Sequence, residues 1–205
     1  MKIILPLLTL FCITNLVEAQ YMGAEVMVGN KNYWYQHALY LPIHKSRFSI
    51  SHSSSMHLMY QEKDKNEVMS QSYVTYPLTS FLRAAVGTFY ATKPGISPAL
   101  ALQFGLSQKH VKLLVVPRID LKNNGSVEVM TLLEYTLPIN DQFNFYSKVQ
   151  AMTNYGPYNH NRSYQNFRLG LRTQKTTFGL ALNVDERGSE KETLHSWGVF
   201  LRYDI

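Results

Sequence analysis

The sequence predicts an all-β protein, an antiparallel up-and-down transmembrane β-barrel of about twelve strands. Three observations predict this fold: an alternating C-terminal strand, a regular succession of hairpins after residue 20, and an N-terminal export signal. The chain has 205 residues, which fits one domain, and its 45% hydrophobic and 17% charged residues exclude a disordered protein. Fourteen tyrosines suit strands and membrane interfaces, where a ring is buried and a hydroxyl stays hydrated.

The last strand separates two kinds of side chain. One face is mostly apolar or aromatic: His195, Trp197, Val199, Leu201, Tyr203 and Ile205. The other face carries small and charged residues: Leu194, Ser196, Gly198, Phe200, Arg202 and Asp204. A strand between lipid and a filled or hydrated lumen needs this alternation. The segment also resembles the C-terminal signal of bacterial outer-membrane proteins, although it ends in Ile205 rather than an aromatic residue.

Period-two hydrophobicity and turn-forming clusters divide the rest of the chain into hairpins. The predicted strands lie near 20–29, 32–43, 46–60, 66–76, 80–92, 96–107, 109–119, 125–136, 141–153, 163–173, 176–184 and 193–204. Connections after odd-numbered strands are mostly longer than those after even-numbered strands, as in outer-membrane barrels. Strand 66–76 alternates poorly, Pro117 falls within a strand, and Asn32–Pro42 is aromatic on both faces, so ten strands are the alternative.

The N-terminus predicts export. Lys2 precedes an apolar run from Ile3 to Val17, and Ala19 supplies a small residue before a cleavage site, so residues 1–19 are predicted as a signal peptide and 20–205 as the barrel domain. The only cysteine, Cys12, lies in that signal, which excludes disulfides from the mature chain. We expect the bacterial outer membrane, with both termini periplasmic, outer-membrane lipid as a partner, and no contact with nucleic acid.

The alternation also predicts which charged side chains line the lumen. The inward set is Glu25, Arg47, Arg83, Lys112, Arg118, Glu128, Glu134, Lys148, Arg168, Arg172, Arg202 and Asp204. Its excess of cations favours a narrow path for anions. A barrel of this size can equally be packed shut by Arg–Glu pairs and by large inward residues such as Tyr146 and Phe200. The sequence leaves both states open.

One segment invites an enzymatic hypothesis. His52 and Ser54 share a face of their strand, which is similar to the His-x-Ser arrangement of outer-membrane lipid A deacylases, with Glu62 or Glu67 as a candidate partner of the imidazole. The rest of the chain does not match that family, and a polar strand near the interface explains the segment more simply. No metal-ligand spacing or nucleotide motif is found, so we expect no cofactor and no metal.

The overall pattern resembles small, functionally uncharacterised outer-membrane β-barrels of the Bacteroidota type, including residues 157–165 and 198–205. The resemblance implies a location and a fold but no site residues. The favoured function is non-enzymatic: an accessory subunit that contacts another outer-membrane protein near 66–76, or a narrow anion-biased channel. The alternatives are a lipid-modifying enzyme and a soluble secreted β-barrel that binds a ligand.

Overall fold

The computed structural model describes residues 21–122, 125–156, 159–190 and 192–205. It is a closed antiparallel barrel of twelve strands, which confirms the predicted fold class and favours twelve strands over ten. The predicted signal peptide, residues 1–19, lies outside the described residues. Within the described ranges, no helix is long and apolar enough to cross a membrane.

The strands follow one another around the barrel in chain order. They are β1 (Tyr21–Gly29), β2 (Asn32–Pro42), β3 (Ser49–Met59), β4 (Glu67–Pro77), β5 (Leu82–Ala91), β6 (Gly95–Ser107), β7 (Val111–Asp120), β8 (Val127–Pro138), β9 (Asn144–Tyr155), β10 (His160–Arg172), β11 (Thr176–Arg187) and β12 (Glu192–Asp204).

The first and last strands close the barrel. Gly23 of β1 pairs with Asp204 of β12, and the antiparallel register continues to Gly29 opposite Gly198. Closure satisfies the backbone groups that an open sheet would leave unpaired, which is the condition for a sheet to span a bilayer.

Side-chain direction follows the predicted alternation. In β12, Trp197 is 66% exposed and faces outward, whereas Phe200 and Arg202 are buried in the interior. Similar rows of exposed Leu, Val and Phe occur on most other strands. An outer surface of this kind suits a hydrocarbon environment.

The two ends of the barrel differ. We call the end that carries Tyr21 and Ile205 the terminal end and the opposite end the distal end. The distal connection between β3 and β4 contains a short 3-10 turn, Lys63–Lys65. Lys65 Nζ contacts Glu192 Oε1 at 2.8 Å and Glu62 Oε2 at 2.6 Å, and these hydrogen bonds raise the pKa of Lys65. The pair with Glu192 ties this connection to the start of β12.

Two irregular features of the sequence have local structural consequences. Pro117 stays within β7 and pairs with Val129 of β8, but the ladder between β6 and β7 is interrupted between Ala101↔Arg118 and Phe104↔Val115. Proline has no N–H to donate, which accounts for the gap. Strand β3 begins at Ser49 rather than near 46, because 43–48 form the turn that joins it to β2.

Candidate functional site

The lumen is filled on one side by an ionic cluster at mid-height. Glu25 of β1 accepts ion pairs from Lys148 of β9 and Arg168 of β10, with 2.8 Å between Arg168 Nε and Glu25 Oε1. Arg168 also donates to Asn183 Oδ1 at 2.7 Å. These three ionic side chains are almost fully inaccessible to solvent, so the charges depend on one another for compensation.

A second set of contacts extends this cluster toward the terminal end. Arg202 forms ion pairs with Glu134 and with Asp204, the latter at 2.9 Å. Tyr146 donates to Glu134 Oε1 at 3.1 Å and accepts from Arg202 Nη1 at 2.8 Å. Arg172 reaches the other oxygen of Asp204 at 2.7 Å. These contacts therefore join side chains of four strands, β8, β9, β10 and β12, across the interior.

On the opposite wall of the lumen, several side chains contact Arg118. Its guanidinium lies 2.9 Å from Glu128 and 3.0 Å from Asp120, and its Cζ lies 3.6 Å from the centroid of the Phe89 ring. Gln71 Oε1 accepts from Arg118 at 3.3 Å. The positive charge is matched by two carboxylates and an aromatic face.

The distal end is crossed by another group of ion pairs. Arg162 of β10 binds Asp185 of β11 at 2.7 Å and also pairs with Glu67 of β4. Arg187 lies 2.9 Å from Asp185 and donates to His57 Nδ1 at 3.0 Å. We call these five side chains the distal layer. They come from β3, β4, β10 and β11, so they extend across the interior near the strand ends.

A cavity of about 710 Å³ occupies the rest of the lumen. It reaches Ser80, Ser107 and Lys112 at the terminal end, and no member of the distal layer lines it. Part of its wall consists of neutral polar side chains: Gln36, Ser51, Ser53, Ser55, Gln71, Gln103 and Gln150. This volume lies in the range of small-molecule sites. The cavity therefore extends from the terminal end to Met69 and Tyr164, and the distal layer lies beyond it.

Arg83 differs from the other arginines of the cavity wall in its contacts. Its Cζ lies 5.1 Å from the centroid of the Tyr40 ring. In the described part of the chain, no carboxylate lies within ion-pair distance of its guanidinium, unlike Arg118, Arg168 and Arg202. Next to it, Gln103 is its partner in β6 and donates to Ser51 Oγ at 3.1 Å. The arrangement offers one cation, an aromatic ring and neutral hydrogen-bonding groups to a solute.

The predicted lumen residues divide into three groups. Glu25, Arg83, Lys112, Arg118, Glu128, Glu134, Lys148 and Arg202 line the cavity. Arg168, Arg172 and Asp204 belong to the ionic clusters behind that wall. Arg47 departs from the prediction: it lies in the exposed turn before β3 with its Cζ 4.8 Å from the centroid of Tyr76, an outward-facing residue of β4. The alternation of side chains does not apply to Arg47, because strand β3 begins only at Ser49 and Arg47 precedes it.

The sequence prediction missed most of the distal layer. Arg162 and Asp185 were assigned to connections, but β10 begins at His160 and β11 continues to Arg187. Extending the alternation from Arg168 back to Arg162, and from Asn183 on to Asp185, would have placed both side chains in the lumen.

The structure does not bring His52 and Ser54 into a catalytic pair. His52 Nδ1 contacts Ser72 Oγ of β4 at 2.8 Å, whereas Ser54 Oγ donates to the Met69 carbonyl at 2.9 Å. Both residues lie near the middle of β3 on its outward face. Among the described residues, no three His, Cys, Asp or Glu side chains form a metal-binding group.

The known proteins that resemble this chain do so in structure and not in sequence. No protein-family model and no curated protein sequence matches the chain. It is similar to the solved structure of the NanC porin, with a TM-score of 0.55, 13% identity, and coverage of 90% of this chain and 99% of that one. It is also similar to the KdgM porin in complex with disordered oligogalacturonate, with a TM-score of 0.52, 8% identity, and coverage of 89% and 98%. LpxR from Salmonella typhimurium is similar at a lower level, with a TM-score of 0.45, 7% identity, and coverage of 90% of this chain and 99% of that one.

The fold therefore defines the structural class of this protein. The chain has the fold of a bacterial outer-membrane β-barrel and resembles porins in its twelve-stranded closed architecture. At these identities the likeness concerns the fold alone. The solute or activity depends on the side chains of the lumen.

Proposed function

We propose that this protein is a narrow outer-membrane channel for small anionic solutes, which enter the lumen cavity and contact Arg83. The observation that carries the proposal is the Arg83 guanidinium, which faces the cavity without a carboxylate partner among the described residues. A cation that is not neutralised by the protein attracts anions and replaces part of their hydration.

The wall around Arg83 supports a polar solute. Ser51 and Gln103 provide hydrogen-bonding groups, and Tyr40 provides a flat ring. Oligogalacturonate, present with the KdgM porin, is an oligomer of sugar acids. A small sugar acid would match the same combination of one cation, one aromatic face and neutral polar groups. We propose that the terminal end, which contains the mouth of the cavity, faces the periplasm. An even number of strands places both termini on the same side of the membrane, which is the periplasmic side from which an exported chain inserts.

In this proposal the distal layer restricts the passage of the solute through the lumen. It consists of long side chains joined by ion pairs, and we propose that solute passes when these contacts part. The expected conductance is therefore small, and the selectivity should depend on Arg83 more than on Arg168 or Arg172, whose charges are compensated by Glu25 and Asp204.

The test is the reversal potential of the purified protein in planar bilayers under a salt gradient. The wild-type chain should show small anion-selective currents, and Arg83→Gln should lose most of the anion preference. Arg47→Gln is the matched control, because Arg47 lies at the same end but against Tyr76 outside the lumen. A silent bilayer, or equal effects of the two changes, contradicts the proposal.

A second candidate is a subunit docked beside another outer-membrane protein. The polar side chains Ser70 and Ser72, which β4 turns away from the lumen, favour a protein contact there. Recovery of one stable partner in constant ratio after mild detergent extraction supports this candidate. Recovery of this chain alone contradicts it.

A further inference from the structure

A polar region lies at mid-height on the outer surface of the barrel. It consists of His37 on β2, His52 and Ser54 on β3, and Ser70 and Ser72 on β4, which we call the outer polar patch. The register joins these residues directly: His37 is opposite Ser54, Ser54 is opposite Ser70, and His52 is opposite Ser72. Each lies near the centre of its strand, so the patch falls near the middle of the membrane-spanning surface.

The surroundings of the patch are apolar. On the same outward face of β3 and β4, Ile50, Leu58 and Val74 are exposed as expected for a lipid contact. Four strands away from β3, the middle of β11 presents Leu180 and Leu182. A cluster of five polar side chains at this depth differs from these apolar surroundings, and it needs a partner because hydrocarbon offers no hydrogen bonds.

The patch only partly satisfies its own hydrogen-bonding groups. His52 Nδ1 contacts Ser72 Oγ at 2.8 Å, and Ser54 donates to a backbone carbonyl. The His37 ring lies 5.2 Å from the His52 ring, and its two nitrogens, which neighbouring atoms of the barrel cover, have no hydrogen-bond partner in the described chain. Polar side chains on a surface that faces lipid are costly and are stabilised by a protein neighbour.

We propose that the outer polar patch is the interface of a twofold dimer of this chain within the membrane. Two copies inserted in the same orientation carry the patch at the same depth, so a twofold axis along the membrane normal brings one patch against the other. Histidine and serine both donate and accept hydrogen bonds, which makes the patch complementary to itself without opposing like charges. The three serines are small and let the two sheets approach closely. This inference does not depend on the proposed channel, and it takes the place of the second candidate above, because both assign Ser70 and Ser72 to an interface.

A single-cysteine experiment tests the interface. The described chain contains no cysteine, and replacing Cys12 by Ser ensures that an introduced thiol is the only one. In full-length protein in outer membranes, Ser70→Cys should form a disulfide-linked dimer on oxidation with copper phenanthroline. Leu180→Cys is the matched control, since it lies mid-strand on the outward face of β11, four strands away from β3.

Removing the polar groups provides the second test. The double variant His52→Leu, Ser70→Leu should still fold in lipid, because both side chains point outward, but should lose the dimer in sedimentation measurements at matched detergent density. The wild-type chain should sediment as a dimer under the same conditions.

Several outcomes would overturn the dimer. A monomeric wild-type chain with no Ser70→Cys cross-link is one of them. Equal cross-linking of the two cysteine variants would indicate random collision, and cross-linking of Ser70→Cys to a different protein would assign the patch to another occupant.

Discussion

Glu25 and Arg168 are joined by an ion pair across the barrel interior, with 2.8 Å between Oε1 and Nε, although β11 and β12 lie between their strands. Lys148 of β9 shares the same carboxylate. One acidic residue of the first strand thus connects the beginning of the chain to two strands of its second half, and this contact can form only when the barrel closes.

We expect Glu25→Gln to destabilise the barrel by about 3 kcal/mol, because it leaves two buried cations with a neutral partner. The free energy of unfolding in lipid vesicles, measured by urea or guanidinium titration, checks this value. Asp141→Asn is the control, since Asp141 is exposed in the connection between β8 and β9. Equal stability of the Glu25→Gln and Asp141→Asn variants would show that the cluster is not important for stability.

We expect Glu67→Ser to increase single-channel conductance. The change shortens one side chain of the distal layer, whereas Asp185 continues to pair with Arg162 and Arg187, so the fold should be kept. Lys63→Ser is the control, because Lys63 is exposed in the connection just beyond the layer. The layer does not restrict the passage if the two variants conduct alike.

We expect Gly170→Ala to destabilise the barrel by about 1–3 kcal/mol through overpacking. A Cβ added at Gly170 would lie 2.1 Å from the Phe178 carbonyl oxygen and 2.9 Å from Gly179 Cα, and backbone atoms of β11 cannot move aside as a side chain can. Gly105→Ala is the control, since its Cβ would approach only Arg83 Nη1, at 3.9 Å. Thermal unfolding in detergent distinguishes them, and equal transition temperatures would contradict the steric argument.

We expect Ser54→Ala to leave the acyl chains of the membrane lipids unchanged. The Ser54 hydroxyl donates to the Met69 carbonyl and not to His52, and it lies at mid-strand, away from the depth of lipid ester groups. Mass spectrometry of lipids from cells that express the wild-type or variant chain gives the answer. Ser72→Ala should behave in the same way, although Ser72 contacts His52. A changed acyl pattern in either variant would revive the enzymatic hypothesis.

The sequence alone determined the fold class and the direction of most side chains, and it predicted about twelve strands with ten as the alternative. Period-two alternation is a local property, and it identifies both faces of a strand such as β12 without knowledge of its neighbours. It placed Arg168, Glu134 and Arg202 in the lumen. It failed at strand ends, where Arg47 belongs to a turn and Arg162 belongs to a strand, because hydrogen bonds to neighbouring strands decide where a strand begins.

The tertiary structure decided which charges compensate each other and which face the cavity without a carboxylate partner among the described residues. Arg83 and Arg118 have the same inward direction in sequence, but Arg118 lies beside Glu128 and Asp120 whereas Arg83 faces the cavity. The outer polar patch likewise arises from the register of β2, β3 and β4, which brings His37, Ser54 and Ser70 side by side. Such relationships depend on the stagger and closure of the whole barrel, which no local pattern contains.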